Sequence, residues 1–182
     1  MTLKPRTKGL LAFLGFAATI PAANWMIGHV GLCVPGQPCL VPVGFGLAAP
    51  SGVLMIGAAL VLRDVVHERL GALTAFAAIL AGAMLSLLFG PPSLAIASAL
   101  AFATSELADM AVYTPLRERR LYAAVLLSGL VGAVVDSAVF LWLAFGSLDY
   151  MAGQVLGKLW MTIAALPVLF ALRARKAERI GP

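Results

Sequence analysis

Apolar residues fill this chain in long, nearly unbroken runs, separated by short gaps that hold most of its Gly, Pro and charge. Each run approaches the roughly 20 residues that a helix needs to cross a hydrocarbon core about 30 Å thick. The pattern predicts six helices, over Leu10–Ile27, Val43–Leu62, Ala72–Phe89, Leu94–Tyr113, Leu121–Phe145 and Met151–Leu172. Gly90-Pro91-Pro92-Ser93 and Gly146-Ser147-Leu148-Asp149 supply turns between them. The expected architecture is an all-α integral membrane bundle of six transmembrane helices in a single domain, residues 1–182. The first run follows Lys4, Arg6 and Lys8, as the apolar part of a signal peptide does. Ala22-Ala23-Asn24 is a poor cleavage site and five runs follow, so an uncleaved helix is expected.

Composition agrees: of 182 residues 62% are hydrophobic and 12% charged, about half the charged share of a soluble domain. Twelve of the thirteen Lys and Arg residues form four clusters, at every second gap. Lys4, Arg6 and Lys8 precede the first predicted helix. Arg63 and Arg69 follow the second, Arg117, Arg119 and Arg120 the fourth, and Arg173, Arg175, Lys176 and Arg179 the sixth. Basic loops stay in the cytoplasm, so both termini are predicted there, in the inner membrane of a bacterial cell. The formal net charge of +5 reflects these loops. No basic face with interleaved aromatics lies outside the apolar runs, so no nucleic-acid partner is expected.

The gap Gly28–Pro42 then lies outside. Its Cys33 and Cys39 close a short Pro/Gly loop, where a disulfide can form. A bridge and two free thiols are both compatible with the spacing. A metal site would have only His29 to complete it, and none is expected. The second predicted helix opens on Gly44, Gly46, Pro50 and Gly52, a poor helix start. Three readings fit: a break beside a cavity, a Pro kink, or the end of a re-entrant loop.

The thirteenth cation, Lys158, sits inside an apolar run, as do Glu106, Asp109 and Asp136. An ionisable group at the bilayer centre costs about 2.5–3.5 kcal/mol on insertion scales, so such groups turn inward. Glu106 and Asp109 share a helix face. Asp136 follows Ser128 and Gly132 at four-residue steps, and Gln154, Lys158 and Thr162 repeat that step. A structural salt link between Lys158 and one carboxylate is one reading. Three carboxylates against one lysine leave a surplus, which favours a substrate or proton site. Asn24 follows Pro21, where a kink would aim it inward. Trp142 and Trp160 either stack on a flat ligand or simply pack. Gly153 and Gly157 predict close packing of the last helix at the level of Lys158. Arg63 and Asp64 form either a cytoplasmic gate or a solvated helix end.

Catalytic signatures are missing. His67-Glu68 lacks the second histidine of a zinc protease helix, no Ser/His pair exists, and no glycine-rich phosphate loop occurs. No enzyme, no cofactor and no resident metal are expected.

The segment Ser98–Phe145 carries Ser105-Glu106-Leu107-Ala108-Asp109-Met110-Ala111-Val112-Tyr113, then Leu116-Arg117, then Asp136-Ser137. It resembles the VUT family of queuosine-precursor transporters. Arg63-Asp64-Val65-Val66-His67-Glu68-Arg69-Leu70-Gly71 is similar to that family's short motif at an early helix end. Asn24 and Lys158 also fall where similar proteins carry Asn and Lys. The resemblance implies a stand-alone importer of 7-cyano-7-deazaguanine or a related 7-deazapurine, and the surplus carboxylates make proton coupling one way to drive it. The alternative is a substrate-binding subunit of an energy-coupling-factor vitamin importer, whose six-helix arrangement is similar. The substrate site expected on both counts is Asn24, Glu106, Asp109, Asp136, Gln154 and Lys158. Its partners are a small purine-like molecule and membrane lipid, with the oligomeric state open and a homo-oligomer among those allowed.

Overall fold

The computed structural model describes residues 5–89, 91–116 and 120–177. Six α-helices are found among them: α1 Pro5–His29, α2 Ile56–Leu70, α3 Ala72–Phe89, α4 Pro92–Leu116, α5 Leu121–Phe145 and α6 Met151–Ala177. Four helices, α1, α4, α5 and α6, are long and apolar enough to cross a membrane; α3 contributes a shorter apolar stretch, Leu73–Leu88. Of the basic clusters, Lys4, Arg117, Arg119 and Arg179 lie outside the described residues.

The largest departure from expectation is the second predicted helix. Residues Val43–Pro50 are not helical. Strands β1 Leu40–Gly44 and β2 Leu47–Pro50 pair antiparallel, and a 3-10 turn Ser51–Met55 leads into α2. The reason is local. Gly44, Phe45 and Gly46 all take positive φ (100°, 54° and 73°), a conformation that reverses the chain and that glycine adopts at little cost. Pairing between the strands satisfies the backbone groups that a broken helix would leave bare. Arg63 therefore lies in the middle of α2, not beyond its end.

Helix directions follow from the close approaches of glycines. Gly9 meets Leu70 and Gly15 meets Leu62, so α1 and α2 are antiparallel. Gly82 faces Ala17, and Ser86 bonds Asn24, so α1 and α3 run parallel. Gly57 faces Met161, which sets α2 and α6 parallel. The hairpin thus lies at the end of the bundle where α2 and α6 begin and α1 ends.

One apolar cluster joins Ala12, Phe16, Val66, Ala75 and Ile79 across α1, α2 and α3; a second joins Ile27 with Leu94, Ala101, Phe140 and Leu141 of α4 and α5. Large apolar side chains such as Leu73, Leu88, Leu107, Leu130 and Trp142 point outward, as lipid contact requires. Helix α6 is clamped on its other side by the hairpin. A Cβ on Gly153 would collide with the Ala48 carbonyl oxygen, and one on Gly157 would lie 2.9 Å from Val53. The small residues of α6 thus admit a hairpin and a turn, where close packing against another helix is the usual use.

Gly153→Ala is expected to destabilise the protein by about 1–3 kcal/mol, because backbone atoms must move. Gly129→Ala, where nothing lies within 4 Å, is expected to be neutral or slightly stabilising. Thermal melts in detergent measure both; equal effects contradict the packing described.

Candidate functional site

Helix α6 brings Gln154 and Lys158 to one face, a turn apart, and both are buried, at 5% and 6% exposure. The Lys158 ammonium pairs with Asp136 Oδ2 on α5. An ammonium in apolar surroundings must hold an anion, and this pair links α5 to α6. Near the same end, Asn24 of α1 is buried and bonded twice. Its Nδ2 donates to Ser86 Oγ of α3 at 3.0 Å, and its Oδ1 accepts from Ser98 Oγ of α4 at 3.2 Å. Helix α1 runs unbroken through Pro21, and the expected orientation of Asn24 away from lipid is met within that helix.

A second ion pair lies deeper along α4. Arg63 Nη1 of α2 donates to Glu106 Oε1 at 3.2 Å. Glu106 is eight residues beyond Ser98, or about 12 Å along the helix. Helices α2 and α4 have almost no backbone contact, so these two long side chains meet across the space between them. Both side chains are more than a third exposed (37% and 44%), so the pair contributes only about 0–1 kcal/mol where water reaches it.

The charge balance changes accordingly. Three carboxylates face two cations, because Arg63 joins the interior set. Asp109 is the carboxylate left without an ion-pair partner among the described residues; it lies against Gly132 of α5. The side chain of Asp64 lies outside the described residues, so no arrangement of an Arg63/Asp64 gate is described. Gln154 Oε1 is the one buried side-chain oxygen or nitrogen without a hydrogen-bond partner among the described residues. An acceptor in that state costs about 1–3 kcal/mol.

The remaining sequence candidates lie apart from this cluster. Cys33 and Cys39 are joined by a disulfide. The Cys39 amide bonds the Ile27 carbonyl and the Cys39 carbonyl accepts from Ser51, so the bridged loop is stitched to both α1 and the 3-10 turn. Trp25 and Trp142 are exposed; Trp25 stacks on His29, with centroids 4.7 Å apart. Trp160 Nε1 donates to the Val43 carbonyl of the hairpin at 3.0 Å, which makes it a packing residue in this conformation. A cleft of about 440 Å³ between α2 and α6 is lined by Gly57, Ala58, Leu62, Ala164 and other apolar residues. It offers nothing to a polar guest and is separate from the polar cluster.

Sequence reasoning missed Ser86 and the interior role of Arg63. Ser86 carried a faint signal, as a lone hydroxyl in the apolar run Met84–Leu88. Arg63 was hidden because the helix boundary was set too early.

Chemically, the cluster offers carboxylates that accept paired N–H donors, an ammonium and two amides. In the described conformation Lys158 is paired with Asp136, Arg63 with Glu106, and Asn24 with Ser86 and Ser98. Residues 90–172, which hold α4, α5 and most of α6, match the family model described as "Putative vitamin uptake transporter". No curated protein and no solved structure matches the chain.

Lys158→Met alone leaves Asp136 without its cation and is expected to cost about 3–5 kcal/mol. Adding Asp136→Leu is expected to recover most of that loss. Thermal melts of the two variants check it, and a single variant as stable as wild type contradicts the pairing.

Proposed function

We propose that this chain is a membrane importer of a small planar metabolite, a 7-cyano-7-deazaguanine or related queuosine precursor, working as a stand-alone carrier in a bacterial inner membrane. The observation that carries this reading is the set of polar contacts made between helices that are otherwise largely apolar. Helices α1, α4, α5 and α6, long and apolar enough to cross a membrane, each contribute an amide or an ionisable side chain, and α2 adds Arg63. Groups so costly to insert mark substrate and proton pathways in membrane proteins. The match of residues 90–172 to an uptake-transporter family model supports the same direction.

The chemistry of the guest follows from the groups on offer. A guanine-like base presents two adjacent N–H donors on one edge. A carboxylate accepts both as a bidentate pair, with Glu106 and Asp109 on the same face of α4 and Asp136 opposite on α5. Lys158 or Asn24 donates to the ring carbonyl. When a base takes one carboxylate, the freed cation seeks another, and exchange among three carboxylates and two cations drives the conformational change that alternating access requires. An inward proton gradient powers the cycle.

Protein in proteoliposomes is expected to take up labelled 7-cyano-7-deazaguanine saturably, faster with an inward proton gradient and without ATP. Glu106→Gln is expected to slow uptake at least tenfold. Absence of uptake of any 7-deazapurine overturns the substrate reading; a strict need for an ATP-hydrolysing partner overturns the stand-alone reading.

A further inference from the structure

Resting on the uptake reading above, we propose that the Gln154 side-chain oxygen is a specificity-determining acceptor for the exocyclic amine of the transported base. Gln154 is 5% exposed, and its Oε1 is buried without a partner among the described residues. Two of its neighbours along α6 are held in place. Gly153, its neighbour, packs on the Ala48 carbonyl, and Lys158, one turn on, is held by Asp136. The amide therefore has a fixed place on the face of α6 that carries the ion pair. A methionine or leucine would fill the same volume with no unmet hydrogen bond. An amide is the costlier choice for the empty protein and the better one for a guest that brings a donor.

The geometry of a guanine-like base supplies that donor. Its 2-amino group carries two hydrogens. A carboxylate that grips the base takes one of them together with the adjacent ring N–H. The second amine hydrogen points away from the carboxylate and needs its own acceptor. Lys158, one turn from Gln154 on α6, contacts Asp136 directly, so a carboxylate and an acceptor without a partner among the described residues lie within one turn of α6. A site built to satisfy an N–H rejects the analogue that lacks it, because the acceptor is then left bare again.

The test compares two ligands on two proteins in detergent by calorimetry: 7-cyano-7-deazaguanine and its analogue without the 2-amino group, on wild type and on Gln154→Met. Wild type is expected to favour the amine-bearing base by tenfold or more. Gln154→Met is expected to lose that preference, to bind the amine-free analogue as wild type does, and to melt about 2–4 °C higher without ligand. A wild type that binds both ligands equally, or a Gln154→Met that keeps the preference, overturns the role of Gln154 while leaving the uptake reading intact. A Gln154→Met that melts lower than wild type shows a structural partner for the amide and counts against it as well. A wild type that binds neither ligand removes the substrate reading and this inference together.

Discussion

A lysine ammonium buried inside an apolar helix is the constraint around which the rest of this protein is arranged. Lys158 cannot be solvated where it sits, so it must hold an anion, and Asp136 is the anion it holds. That link ties α5 to α6. On its opposite side α6 is clamped by Gly153 and Gly157 against the hairpin and the 3-10 turn. The helix is therefore held between a dense backbone contact and one electrostatic contact. The first is fixed by shape, and the second depends on charge and is open to competition from a guest.

The hairpin explains why such a site can exist at that end of the bundle. Non-helical backbone is tolerated at membrane depth only where its polar groups are met. Strand pairing, the Cys33–Cys39 bridge and the bonds from Ile27 to Cys39 and from Cys39 to Ser51 meet them. The connection from α1 to α2 thus becomes a compact cap whose residues reach α6. Deeper in the bundle, Arg63 and Glu106 link α2 to α4, two helices with almost no backbone contact. Two ion pairs at two levels, both made of groups with other possible partners, give the interior more than one way to be satisfied.

Much of the fold was legible because lipid imposes a simple rule on sequence. Helix α5 occupies Leu121–Phe145 as its hydropathy predicts, and α1, α3, α4 and α6 extend or match their predicted runs. The second run failed because hydropathy counts apolar residues without regard to backbone conformation. Val43, Leu47 and Ala48 read as helix in such a window, while the Gly44-Phe45-Gly46 turn makes them strands. That error spread to the site. A second helix that ends at Leu62 puts Arg63 at its cytoplasmic end, as a gate or a solvated end, and leaves three interior carboxylates against Lys158 alone. The interior membership of Lys158, Asp136 and Asn24 was readable from four-residue spacing and from insertion cost. Which of them pair, and that Gln154 Oε1 is left over, depends on side-chain geometry that spacing does not encode.

The central claim is that these side chains surround a path that water and a small guest can enter. Its most direct measurement is the reaction of introduced cysteines with a small water-soluble methanethiosulfonate, since a thiol in hydrocarbon stays protonated and inert. The native cysteines are bridged and do not interfere. Ser98→Cys and Thr162→Cys, on the polar faces of α4 and α6, are expected to react in membranes, and 7-cyano-7-deazaguanine is expected to slow them. Leu107→Cys and Leu130→Cys, which point outward, are expected to stay inert. Interior thiols as unreactive as the outward ones, or outward ones that react faster, contradict the account.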